Sequence, residues 1–275
     1  MKADRRLAIL GGGNLGSAVA RGLVRAGKYD AGAITITRRT EERLRPLSAD
    51  GFSVTTSNRE AVRTAPLVVI AVRPRQLPRV LDEIADEVDG GRHLVVSTVT
   101  DVCVREIRTR LGTDVPVVRV MPNVGVSVGA SMTCLACPAD VPHRARQQVE
   151  DVFSFLGRTR FIDEDQMTPA TALCACGIAF FLRAIRAASQ GGVQVGFHAD
   201  EAIQLAAQTA RGAAELLLAQ SEAGEAHPEA LIDSVTTPLG VTIAGLNEME
   251  HQGFSSAFIR GIVTAAEKAQ QLHSE

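Results

Sequence analysis

The stretch LAILGGGNLGSAVARGL, residues 7–23, decides the fold. Its first four residues are apolar without alternation, as in a strand buried on both faces; three glycines follow, and then apolar residues recur at helical spacing. Gly11, Gly13 and Gly16 stand in the G-x-G-x-x-G spacing between a strand and the helix it feeds, with Asn14 and Leu15 opening that helix. Each glycine has a job: the first makes a tight turn, the second lets a pyrophosphate reach the backbone, and the third lets the helix pack closely. A helix start adds free N–H groups that favour an anion. The stretch reads as a dinucleotide-binding turn.

On either side of this turn, strand-like runs alternate with helical patterns over residues 6–160. The strands are RLAIL, AITIT, LVVIAV and HLVVST, with VPVVRVMP and ASMTCLAC continuing the series. That alternation predicts a parallel, doubly wound sheet. From about residue 163 the pattern turns helical, as in MTPATALCACGIAFFLRAIRAASQGG and ADEAIQLAAQTARGAAELLLAQ. The expected architecture is α/β: a Rossmann-type domain over residues 1–162, then an all-α domain over residues 163–275.

The end of the second strand bears on the cofactor. An NAD-binding chain places Asp or Glu there for the ribose hydroxyls, whereas this one reads ITITRRTEER, with Thr37, Arg38, Arg39 and Thr40. Two guanidiniums and two hydroxyls suit a 2′-phosphate, so NADPH is expected over NADH, with Arg38 and Arg39 as the discriminators.

Composition excludes other classes. A formal net charge of −2 over 275 residues gives no electrostatic case for nucleic acid or an anionic membrane. The apolar run in MKADRRLAILGGG is too short for a signal peptide, and no stretch reads as long enough for a membrane span, so a cytoplasmic protein is expected. Five cysteines argue against a disulfide framework. Cys134 and Cys137 form a C-x-x-C inside the apolar SMTCLACP; with no second ligand pair nearby they read as buried small hydrophobes, and no metal is expected.

The helical half contains one anomaly, DSVTTPLGVTIAGL at residues 233–246, where a proline and two glycines interrupt helix. Thr237 before Pro238 reads as a cap and first turn, which would offer unpaired N–H groups to an anion.

With GGGNLG, Asn58 in TSNREAV, VVIAVRPRQL, VVRVMPN, AAQTARGAAELLL, HPEALIDSVTTPLGVTIAGL and EMEHQGFSSAFIRGIVTAA in order, the chain resembles the pyrroline-5-carboxylate reductases over nearly its whole length. These make proline by reducing a cyclic imine with a nicotinamide cofactor. The resemblance implies cofactor contacts at Asn14, Leu15, Asn58, the turn Ala71, Val72, Arg73 and Pro74, and the strand end at Ser97. Met121 and Asn123 are implied beside the nicotinamide, on the substrate side. Thr237, Gly240 and Val241 would hold the substrate carboxylate, and Thr242 would orient the imine nitrogen. Homo-oligomers are also implied, with a dimer as the minimum unit and the active site completed across or beside the interface; the apolar faces of the long helices, too extensive for a domain this small to cover, agree.

Several positions depart from the family pattern. Ser-Gly-Ser-Gly-Pro-Ala is here CACGIA at residues 174–179, Pro-Gly-Gly is Pro238-Leu239-Gly240, the Thr-Pro after MPN is Val124-Gly125, and an Ala-Gly is Thr100-Asp101. These leave open a relative acting on a different imine or carbonyl compound, or a catalytically silent NADP(H)-binding protein. The β-hydroxyacid dehydrogenases share the layout but need a lysine acid/base, and nothing between Lys28 and Lys268 is lysine.

Overall fold

In the computed structural model, which describes residues 6–100, 102–222, 224 and 227–274, the strand-like runs assemble into one eight-stranded sheet. The strands are β1 (Leu7–Leu10), β2 (Ile34–Thr37), β3 (Ser53–Thr55), β4 (Leu67–Ile70), β5 (Leu94–Ser97), β6 (Val117–Met121), β7 (Ser131–Ala136) and β8 (Gly157–Phe161). Their order is β3-β2-β1-β4-β5-β6-β7-β8. The helices are α1 (Asn14–Arg25), α2 (Arg45–Ala49), α3 (Asn58–Thr64), α4 (Leu77–Ile84), α5 (Val104–Leu111), α6 (His143–Ser154), α7 (Met167–Ala170), α8 (Gly177–Gln194), α9 (Ala199–Glu222), α10 (Pro228–Ser234), α11 (Val241–His251) and α12 (Phe254–Ser274). A π-helical turn, Thr171–Cys176, joins α7 to α8.

The doubly wound arrangement follows from side-chain alternation. Leu7 and Ile9 of β1 point into a core with Val19, Leu23 and Phe153, while Ala8 and Leu10 point into a second core with Val62, Leu81 and Ile107. Thus α1 and α6 cover one face, and α3, α4 and α5 the other. Each fully buried Leu or Ile contributes about 1.5–3 kcal/mol against leaving it exposed.

One expectation is corrected. The sheet is parallel except between β6 and β7, which run antiparallel with Met121 opposite Cys134. The link from Met121 to Ser131 holds only a short 3-10 turn, and a parallel return needs a crossover of a dozen or more residues. β3 and β8 did not stand out in the sequence: β3 is three residues long, and β8, GRTRF, is an edge strand with Arg158 and Arg160 outward. The C-x-x-C is split by the sheet. Cys134 packs with Met121, Ala136 and Met167, whereas Cys137 packs in the core of the opposite face.

The chain divides into two compact units, one running through Ile178 and taking in α12 from Ala265, the other spanning Ala179–Thr264. Strands end near the expected 162/163 boundary, but Met167 and Ala170 complete the core cluster around Met121 and Cys134, so the first helical turns belong with the sheet. Glu164 ties them there: its Oε1 accepts from the Val104 backbone N–H at 2.8 Å and pairs with the buried Arg119 at 3.2 Å. The second unit holds an aromatic cluster in which the Phe258 ring meets Phe180, Phe181 and Phe254 at 5.4–6.4 Å. The helical run Glu164–Gln194, with mean hydropathy 1.6, is long and apolar enough by length and composition to cross a membrane. That corrects the sequence reading of no such stretch; the apolar core of the run continues without a break into the turns on either side of it, and with Ile178 in place of proline nothing breaks the helix there.

Candidate functional site

The glycine turn has the geometry its spacing implies. Gly11 adopts φ +109°, and a Cβ there would strike the Ala71 carbonyl oxygen; a Cβ on Gly16 would strike the Gly11 carbonyl oxygen. The β1–α1 turn is therefore pressed against the turn after β4, and α1 against the β1–α1 turn. Gly13, by contrast, faces open space and caps α1 without a side chain, so the first-turn N–H groups point outward unengaged. They open on a cleft of about 2120 Å³ that also meets Asn14, Leu15, Arg38, Arg39 and the run Ala71, Val72, Arg73, Pro74. That is large enough for a dinucleotide.

Charge around the cleft is one-sided. Arg38, Arg39, Arg43, Arg73, Arg75 and Arg79 all line it, and none of the six is in an ion pair among the described residues. Elsewhere in this unit arginines find acids, as in Arg21–Asp50 at 2.7 Å, Arg108–Asp140 at 2.7 Å and Arg110–Asp82 at 2.9 Å. Unpaired guanidiniums on a concave wall are a receptor for phosphate. Sequence reasoning missed Arg43, Arg75 and Arg79; the signal for the last two was the repeated arginine in RPRQLPR after a strand end, and Arg43 closes the same RRTEER that holds Arg38 and Arg39.

Thr37 and Asn58 also line the cleft, and they hold the turn together. The Gly11 N–H donates to Thr37 Oγ1 at 3.2 Å, and the Thr37 hydroxyl donates to Asn58 Oδ1 at 2.6 Å. Asn58 in turn donates from its backbone N–H and its Nδ2 to Glu83, at 3.3 and 3.0 Å. The proton Thr37 was expected to offer a 2′-phosphate is thus committed to Asn58, which corrects that expectation. Glu83 is the one carboxylate among the cleft's described lining residues, and both its oxygens are engaged by Asn58.

Other implied residues fall outside the cleft. Ser97 is fully buried, its Oγ accepting from the Val99 N–H at 3.3 Å, because the strand it ends lies between β4 and β6; Thr98 and Thr100 line the cleft instead. Asp101 lies outside the described residues. Met121 is buried, and Asn123 is held on all sides: Nδ2 donates to the Cys174 carbonyl at 3.1 Å, Oδ1 accepts from the Gly125 N–H at 2.8 Å, and its N–H donates to Ser131 Oγ at 3.1 Å. Lys28 sits over the Phe155 ring at 4.4 Å. Among the described residues no cluster of His, Cys, Asp and Glu gathers to hold a metal.

In the helical unit, Thr237 to Gly240 form a β-turn closed by donation from the Gly240 N–H to the Thr237 carbonyl at 2.9 Å. Pro238 and Leu239 are its central residues, and Leu239 takes φ 57°, the one non-glycine residue with positive φ among those described. This is the type II pattern, which wants glycine at its third position. The sequence reading of Thr237 as cap is corrected: Gly240 is the N-cap and Val241 the first residue of α11, because the turn consumes Pro238. No side chain caps α11, Thr237, Val241 and Thr242 are exposed, and Thr242 Oγ1 has no partner among the described residues.

A doubly wound sheet whose glycine turn opens on an arginine-lined cleft is the cofactor half of a nicotinamide-dependent oxidoreductase. Residues 164–272 match the model of the pyrroline-5-carboxylate reductase dimerisation domain, and residues 6–101 that of the coenzyme F420-dependent NADP oxidoreductases. Pyrroline-5-carboxylate reductase 1 of Dictyostelium discoideum is 47% identical over 99% of this chain, and the chain spans 50% of that relative's length. Pyrroline-5-carboxylate reductase 2 of the same organism is 43% identical, over 98% of this chain and 94% of its own. Among solved structures, a pyrroline-5-carboxylate reductase from Coxiella burnetii superposes with a TM-score of 0.87 at 28% identity, covering 98% of each chain. The Plasmodium falciparum pyrroline carboxylate reductase, solved with NADP bound, shares the fold with a TM-score of 0.85 at 24% identity, again over 98% of each. This chain belongs to the pyrroline-5-carboxylate reductase family, and its residues 164–272 are that family's dimerisation domain, which supports homo-oligomerisation.

Proposed function

We propose that the protein reduces 1-pyrroline-5-carboxylate to proline with NADPH, as a cytoplasmic homodimer or a larger assembly of dimers. What carries this is 43% identity to a reductase of that name along 94% of its length. When bound, NADPH supplies the hydride that adds to the carbon of the C=N bond. An imine is most electrophilic when its nitrogen is already protonated, so the chain needs to orient the ring more than to supply a strong base. The uncapped first turn of α11, with Thr237, Gly240 and Val241 around it, offers N–H and hydroxyl donors to the carboxylate. Thr242 orients the imine nitrogen through its unpartnered hydroxyl. Arg38 and Arg39 favour NADPH over NADH by receiving the 2′-phosphate, since the cleft's carboxylate is already engaged. We place the apolar run Glu164–Gln194 between copies of the chain and not in a membrane; Arg183 and Arg186 are exposed within it.

The test is NADPH oxidation with 1-pyrroline-5-carboxylate set against a panel of cyclic imines and keto acids. Thr242→Val is expected to lower kcat about 10- to 100-fold while leaving NADPH affinity unchanged, the loss of one transition-state hydrogen bond. Equal turnover in the variant makes Thr242 a helix residue and nothing more. A second reading, a different cyclic imine as preferred substrate, is favoured by one observation: Leu239 places an exposed isobutyl group in the turn before the carboxylate donors. Faster turnover of another imine than of 1-pyrroline-5-carboxylate selects it.

A further inference from the structure

The cysteines that are neighbours in sequence are separated by the sheet, while two that lie forty residues apart meet. Cys134, buried in β7, has its Sγ 3.9 Å from the Sγ of Cys174 in the π-helical turn. We propose that Cys134 and Cys174 are a redox modification site, closing to a reversible disulfide under a peroxide and slowing turnover by displacing the turn at Asn123. The pair is poised for this chemistry. Cys174 is the less buried of the two, and a π-helical turn is the looser form of helix, so its sulfur can travel the roughly 2 Å that separates 3.9 Å from a disulfide bond. Donation from the Cys134 S–H holds the Cys174 thiol down, to about 7, and that bond together with burial pushes Cys134 up.

The order of events follows. The Cys174 thiolate attacks one peroxide oxygen and breaks the O–O bond, giving a sulfenic acid and a hydroxide that becomes water on taking a proton. The Cys134 sulfur then attacks the Cys174 sulfur, the S–O bond breaks, and the departing hydroxide leaves as water with the Cys134 proton. Two thiols and one hydrogen peroxide give one disulfide and two waters. The structure also supplies the link to the site: Met121 is the cross-strand partner of Cys134, and the Cys174 carbonyl accepts from Asn123, whose Oδ1 holds the Gly125 N–H. Drawing the π-helical turn toward β7 moves that carbonyl. The effect on turnover rests on the proposed imine reduction; the thiol chemistry does not.

The experiment uses the full chain carrying Cys103→Ser, Cys137→Ser and Cys176→Ser, which leaves only these two thiols. After hydrogen peroxide, both thiols should disappear, the intact mass should fall by two hydrogens, and an unreduced tryptic digest should join residues 120–144 to residues 161–183. Dithiothreitol should restore both thiols. Adding Cys134→Ser should instead leave a sulfenic acid on Cys174 that dimedone traps. Separate oxidation of the two thiols with no joined peptide overturns the proposal. Should the triple variant not fold, fragment ions of the joined peptides from the unmodified chain assign the link, since a bond through Cys137 or Cys176 overturns it equally. NADPH oxidation with 1-pyrroline-5-carboxylate should fall severalfold in the joined form and recover with dithiothreitol. A joined form that turns over as fast as the reduced one overturns the coupling to Asn123, whatever the outcome for the substrate itself.

Discussion

The two compact units are built from similar fractions of apolar residue and dispose of them in opposite ways. Among the described residues, every buried hydrophobic residue but Ala202 lies in the sheet unit, where both faces of the strands are covered by the chain's own helices. In the helical unit the large apolar residues face outward: Phe181 is 58% exposed, Leu216 60% and Ile259 61%. Single exposed apolar residues are ordinary, but so many large ones on one small unit point to a covered face, and the match of residues 164–272 to a dimerisation domain agrees with that. The lesson is that one unit is a fold in itself and the other is half of one.

Separating the copies should therefore have the largest effect and should fall on one unit only. Leu182→Glu with Ile259→Glu places charges on the outward faces of α8 and α12, and is expected to yield monomers by analytical ultracentrifugation, with imine reduction lowered at least about 100-fold and NADPH affinity within a few-fold of the parent. A variant that stays dimeric, or a monomer that still turns over, shows that the helical unit does not depend on a second copy. Next in size is Gly16→Val, which drives a side chain into the Gly11 carbonyl; NADPH binding should weaken by about 100-fold, near 2.7 kcal/mol, with the oligomer intact. Titration by nucleotide fluorescence measures it.

Arg38→Ala with Arg39→Ala sharpens what the sheet unit does. NADPH should weaken by about 10- to 100-fold while NADH changes less than about twofold, because only the former loses charge-assisted bonds to a 2′-phosphate. Equal losses for the two nucleotides would assign the arginines to the shared pyrophosphate. The smallest effect belongs to Leu239→Gly. Relieving a left-handed leucine should raise stability by about 0.5–1 kcal/mol, part of the gain being offset by glycine's greater freedom when unfolded. Thermal unfolding reads it, as a rise of roughly 1–4 °C for a protein of this size.

How much of this could be read in advance depended on the range of the interaction. Gly11, Gly13 and Gly16 announced the cofactor turn because their requirement is local, a few torsions and one close approach. The direction of β7 was legible only by weighing the length of the link from Met121 against what a crossover needs, which apolar character alone does not reveal. Thr37 lines the cleft as expected, but its partners, Asn58 and Gly11, come from two other parts of the chain, and no spacing rule announces that a hydroxyl's proton is already engaged. Cys134 and Cys174 are a starker case, since the sequence showed Cys134 and Cys137 as close neighbours, read as small hydrophobes, and the sheet separates them while a residue forty positions on meets Cys134. At Leu239 the departure from the family's Pro-Gly-Gly was visible in the sequence, and the left-handed backbone shows why glycine suits the position.

The six cleft arginines, which have no ion pair among the described residues, have a kinetic consequence as well. A chain whose total charge is only −2 has gathered positive charge onto one concave wall, so the field at the mouth of the cleft has a sign its total hides. A polyanionic nucleotide is drawn to such a wall before any specific bond forms, and the pull extends about 8 Å at physiological ionic strength and farther in dilute buffer. Capture of the cofactor should accordingly slow as salt is added, while its release, governed by short-range bonds already made, changes far less.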